Sequence, residues 1–198
     1  MYQNVADLAA IAARIVVEEG LEYGPAKRRA AKILGFHGRA ALPSNDELEI
    51  AVRDYLSVFC ADTQAQELLI LRKLSLVWML RLSEFRPHLS GAVWRGTATR
   101  RSDIHLQLFC DDSKAAEIAL LGQRVKFQVS SVNGFRGEPV SALSLRVFCA
   151  DFQEEIGVHL MIYDHDDVRG ALKPAANGWP ARGDARALQQ LLGLEAAP

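Results

Sequence analysis

Residues 91–106 read GAVWRGTATRRSDIHL, and the reading of this stretch decides the fold class. Upstream of Pro87 the apolar residues recur at helical spacing; downstream they alternate with polar ones, the period of a strand. Gly91 offers a turn after an apolar strand start. Arg95-Gly96 and a short polar loop follow, and Ser102-Asp103 opens a second alternating strand over 102–109. Alternate strand residues share a face, so Asp103 and His105 are expected side by side. The chain therefore reads as an α+β protein: a helical N-terminal module over 1–86, then a domain with a mixed β-sheet over 87–198.

The order Gly91, Arg95-Gly96, Ser102-Asp103, Leu106 resembles the signature of the minimal nucleotidyltransferases of the DNA polymerase beta-like fold family. There a Gly-Ser turn precedes Arg-Gly and then Ser-Asp-Ile-Asp-Leu. Two positions depart from that pattern: Ala92 stands where the family has serine, and His105 where it has the second carboxylate. The resemblance implies a nucleotidyltransferase-like fold from residue 87 onward, with Asp103 as the catalytic carboxylate. It also implies Gly91, Arg95, Gly96, Arg101 and Ser102 as contacts to a nucleotide or another phosphorylated small molecule.

Transfer of a nucleotidyl group is an in-line displacement at phosphorus, and two metal ions about 3.5–4 Å apart clamp the attacking and leaving oxygens. Magnesium takes oxygen ligands in octahedral geometry, so such a site is built from carboxylates and substrate phosphates. A D-x-D pair on one strand face supplies two of them. Here the pair is Asp103 and His105, and imidazole suits zinc, iron, nickel or copper better than magnesium. The resemblance places a third ligand on a neighbouring strand. On the strand over 155–163 that position holds His159, with Glu155 two steps earlier on the same face as the alternative; the stretch 125–129 offers no acid.

Three functional expectations follow. The first is a nucleotidyltransferase-fold protein with an eroded carboxylate motif, binding a nucleotide or phosphorylated ligand with little or no nucleotidyl transfer. A non-catalytic protein-interaction or scaffold domain is an alternative to it. In the second, Asp103, His105 and His159 hold a transition metal as a two-histidine, one-carboxylate set. The third is an active enzyme in which Asp103 and other acids (Asp111, Asp112, Glu155) hold magnesium. Arg95, Arg100 and Arg101 near the glycine turn fit phosphate oxygens through the fixed fork of guanidinium. The run Asp164-His165-Asp166-Asp167 reads as a helix cap rather than a cation site.

Composition narrows the field. A net charge of −1 argues against a general nucleic-acid binder, which shows a marked basic excess. The three cysteines, Cys60, Cys110 and Cys149, contain no C-x-x-C pair and fit neither a disulfide framework nor a zinc-thiolate site. Such thiols suit a reducing cytoplasm. Asp7 and Arg14 interrupt the first apolar stretch, and no segment holds the ~20 apolar residues that cross a bilayer. Neither G-x-x-x-x-G-K-[S/T] nor G-x-S-x-G occurs.

Before Pro87 the spacing predicts helices from Val5 to about Glu19, from Pro25 to Leu34, from a Ser44 or Asn45 cap to Phe59, and from Thr63 to about Phe85. Gly20 and Gly24 are expected to stop the first. The last is apolar nearly all round, the mark of a helix buried between layers. These helices are the expected surface for a homodimer or a protein partner. Strands are expected at 89–94, 102–109, 124–131, 142–150 and 155–163, with a helix over 113–121 and a hairpin turn at Asn133-Gly134. A short helix at 168–172, a loop over 174–183 and a helix over 184–192 complete the pattern.

Overall fold

The computed structural model describes residues 2–36, 42–135, 137–168 and 180–194. Two compact units are present: Met1–Leu68 with Thr97–Ser102, and Leu69–Gly96 with Asp103–Pro198. The sequence pattern sets the boundary at 86/87, whereas the contacts divide inside a helix and assign the loop 97–102 to the first unit. The change of period at Pro87 marks where helices give way to strands, which is not where packing divides.

The first unit is built on α1 (Tyr2–Glu19), α2 (Tyr23–Ile33) and α3 (Asn45–Phe59). Leu8, Ala12, Ile15 and Val16 of α1 share one core with Ala26 and Ala30 of α2 and Leu48, Val52 and Leu56 of α3. Gly20 stops α1 in the left-handed region at φ 71°. Gly24 does not act as a stop, because it lies with Pro25 in the first turn of α2, where proline's missing N–H has no helical partner to lose. Ser44 caps α3 with both bonds of a capping box: its hydroxyl accepts from Glu47 N–H at 3.1 Å, and its own N–H donates to Glu47 at 2.7 Å.

α4 (Gln64–Arg81) contributes its first turns to this unit and the rest to the second. Leu71, Leu76, Trp78 and Met79 are buried, but Val77 and Leu80 are 60% and 53% exposed. The expectation of a helix covered on all sides is thus corrected. A residue's apolarity states what it would gain by burial, not that a neighbour is there to cover it.

The second unit carries a six-stranded sheet in the order β3-β4-β5-β2-β1-β6. Its strands are β1 (His88–Ser90), β2 (Ile104–Phe109), β3 (Gln128–Asn133), β4 (Pro139–Cys149), β5 (Glu154–Tyr163) and β6 (Arg182–Gly183). β2 and β5 run parallel, and the other neighbours are antiparallel. The strand expected over 89–94 ends at Ser90: Gly91, at φ 72°, turns the chain into the short helix α5 (Gly91–Arg95). Arg72 binds that helix's last carbonyls, Nε to Val93 O and Nη2 to Trp94 O, both at 3.2 Å. Gly96, at φ 84°, ends it.

After β2 comes α6 (Ala115–Gly122), and Arg124 in the left-handed region delays β3 to Gln128. β6 falls in what reads as a loop. Trp94 explains it: its indole fills the space a side chain on Gly183 would need, and its Nε1 donates to Pro180 O at 2.7 Å. α7 (Ala185–Leu191) is capped by Asp184. The helix expected at 168–172 and most of the loop over 174–183 lie outside the described residues.

The two faces of the sheet differ sharply. Leu89, Ile104, Leu106, Leu108, Val158, Leu160, Leu143 and Leu145 form one buried apolar face. On the other face lie the polar residues His88, Ser90, His105, Gln107, Ser144 and His159, which carry the site, while Phe109 and Tyr163 form an apolar cluster at its far end.

Candidate functional site

The strand register lines up one row of polar side chains across the sheet. Gln128 pairs with Ser144, Ser144 with His159, His159 with His105, His105 with Ser90, and Ser90 with Arg182. Paired residues project to the same side, so the row crosses all six strands on the polar face. Arg146 and Gly157 pair in the next row.

Asp103 sits immediately before β2 and leans over Gly157. Its Oδ1 accepts the Gly157 N–H at 3.1 Å, and its Oδ2 lies 3.1 Å from His159 Nε2. On the other side of that ring, Ser144 Oγ is 2.8 Å from His159 Nδ1. The His105 and His159 rings stack, with centroids 5.0 Å apart and planes 22° from parallel. Gly91 passes over the His105 ring, whose Cδ2 would lie 3.4 Å from a side chain placed there. The hydrogen bond from His159 holds the Asp103 carboxyl below the usual aspartate range, against the partial burial that would raise it. Asp103, His105, His159 and Ser144 are half-buried residues, and within His105 the Nε2 atom is itself buried.

The structure thus brings Asp103, His105 and His159 together, with Gly91 beside them. Arg95 and Gly96 follow at the end of α5, where both are half-buried. Arg101 and Ser102 belong to the first unit, and there the Ser102 hydroxyl closes a turn by accepting the Thr99 N–H at 3.1 Å. Glu155 is exposed at the start of β5, opposite Phe148. Asp111 and Asp112 follow the far end of β2, ~20 Å from Asp103 at the rise of a strand. They cannot share a metal with it. Asp112 instead accepts the Lys114 N–H at 2.8 Å, and Asp164 caps the 3-10 turn His165–Asp167 through Asp166 N–H at 2.9 Å.

Sequence reasoning missed Ser144 and Gly157. Ser144 gives no local signal, since a serine in an alternating strand is ordinary. Gly157 does give one: a glycine inside a strand marks a close approach by another group. The group is Asp103, whose carboxylate occupies the space of a Gly157 side chain.

The donor set does not fit a magnesium pair. Among the described residues only one carboxylate reaches the centre, and its two oxygens are engaged by Gly157 N–H and His159. Nearly parallel stacked imidazoles carry their lone pairs in separate planes, so the nitrogens do not converge on one point. Among the described residues, no group of three or more His, Cys, Asp and Glu side chains is arranged to hold a metal ion.

Compared with models of known protein families and with curated proteins, the chain matches none of either. Among the described residues no helix is long and apolar enough to cross a membrane.

Proposed function

We propose that the polar face of the sheet binds a nucleotide or another phosphorylated small molecule without the metal-dependent transfer that the Asp103 motif resembles. One observation carries this reading: the Asp103 carboxylate is taken up by His159 and Gly157 instead of standing free for a metal. The surroundings suit an anion. His159 presents its imidazole, stacked on that of His105, on the same face as the exposed Arg146, with Gly91 beside them.

A thermal-shift panel of nucleoside triphosphates tests the proposal, with magnesium or with chelator. Stabilisation of about 2.7 kcal/mol is expected at a ligand concentration 100-fold above Kd. It persists in chelator and diminishes in His105→Ala. Nucleotidyl transfer that needs magnesium and stops on Asp103→Ala would overturn it. So would stabilisation confined to the magnesium arm. The double variant Ala92→Ser, His105→Asp restores the motif residues, and a gain of transfer there would attribute the silent chemistry to those two positions.

A second reading, homodimerisation through the N-terminal helices, is favoured by a separate observation. Within the first unit, a groove of about 700 Å³ runs between α1 and α3, lined by Val5, Ala9, Ile50, Tyr55, Val58 and Phe59. Ile50, Val58 and Phe59 are 61%, 70% and 68% exposed, an open apolar patch of the kind that marks interaction sites.

A further inference from the structure

We infer that Ser144, His159 and Asp103 form a relay that makes the Ser144 hydroxyl a nucleophile toward phosphate esters and related activated phosphoryl compounds. This rests on the reading of the face as a phosphorylated-ligand site and adds a reaction to it.

The hydrogen-bond chain fixes the direction of proton flow. An ionised carboxylate only accepts, so His159 Nε2, 3.1 Å from Asp103 Oδ2, carries the ring proton. The neutral ring then has its lone pair at Nδ1, 2.8 Å from Ser144 Oγ. With the ring in that neutral form Ser144 donates, and its proton points at the atom able to remove it. A serine within reach of a base, with the base oriented by a third group, is the arrangement that activates a hydroxyl. The two ring nitrogens are exchanged relative to the triad of serine proteases, but the roles are the same. Register supplies the rigidity: Ser144 pairs with His159 across β4 and β5, and Gly157 anchors Asp103 on the same strand as His159. Arg146, exposed and two residues along β4 on the same face, adds positive charge where a phosphate would approach.

In the reaction, Ser144 Oγ forms a bond to phosphorus while the bond to the leaving group breaks, and the leaving group takes the bonding pair. The hydroxyl proton moves to His159 Nδ1, and the imidazolium lies against the Asp103 carboxylate. The ring then passes this proton to the leaving group and is neutral again. Water attacks the phosphoserine and gives its proton to His159, and His159 returns a proton to the departing Ser144 Oγ as phosphate is released.

Diisopropyl fluorophosphate tests the relay, because fluoride leaves and the product stops at the phosphoserine. Mass spectrometry is expected to find one diisopropylphosphoryl group per chain, mapped to Ser144 and absent from Ser144→Ala. His159→Ala should slow labelling roughly 10²-fold or more, the scale of general-base assistance, and added imidazole should restore it. A merely structural histidine would not respond to imidazole. Thermal unfolding confirms that each variant is folded, and nucleotide stabilisation is measured on the same samples. Nucleotide stabilisation without Ser144 labelling overturns the relay and leaves the binding proposal standing. Labelling without nucleotide stabilisation supports the relay and removes the nucleotide reading. Labelling scattered over several serines, no slower in His159→Ala, overturns the relay as well.

Discussion

Gly157 sets the position of Asp103. A methyl group there would fall within the Asp103 carboxylate, and the strand on either side leaves the backbone no freedom to retreat. Gly157→Ala is expected to cost about 1–3 kcal/mol, the usual penalty of overpacking a fitted contact. Chemical denaturation measures the loss. The same variant should release Asp103 from His159, seen as a change in the His159 ring resonances. A second residue, His88, sets a pH dependence. It is buried, edge-on to Phe109, with Nδ1 2.9 Å from Arg86 O. Burial pushes its pKa below the ordinary histidine value of 6.5, with nearby Arg182 acting in the same direction and the Arg86 carbonyl and Asp184 against it. The unfolded chain therefore binds the proton more readily. This contribution to stability is present above pH 6.5 and fades as pH falls through the lower folded pKa. The melting temperature should drop on acidification from pH 7.5 to 5, and His88→Gln should flatten that part of the profile.

Some elements in this chain begin where a side chain supplies the missing hydrogen bonds. Ser44 and Glu47 close the start of α3 on each other, a pattern visible as S-x-x-E in the sequence. Ser44→Ala is expected to lower stability by about 1 kcal/mol, measured by thermal unfolding. α5 is the opposite case. Its five residues are too few to be stable alone, and read locally they continue a strand. The helix exists because Gly91 turns the chain, Gly96 ends it, and Arg72, far earlier in the sequence, binds its last carbonyls. β6 likewise depends on Trp94 lying over Gly183. Local pattern finds elements stabilised by their own residues and misses those stabilised by distant ones.

At the scale of the whole molecule, the apolar groove between α1 and α3 is where the proposed homodimer can be tested. If a second copy covers it, sedimentation velocity shows a dimer that Phe59→Asp converts to monomer with the helical content unchanged. A wild-type chain that stays monomeric at high concentration removes the homodimer reading. The sequence by itself determined the α+β class, the helical first half, the capping box and the shared face of Asp103 and His105, because each depends on periodicity or on residues a few positions apart. It also offered His159, with Glu155 as the alternative, for the position on the neighbouring strand. Tertiary structure alone decided that the loop 97–102 joins the helices, that Asp103 bonds Gly157, and that Ser144 completes the chain through His159. The Ser144, Asp103 and Gly157 contacts join residues 15 to 56 positions apart, and it is the pairing of β4, β5 and β2 that brings them within hydrogen-bond reach.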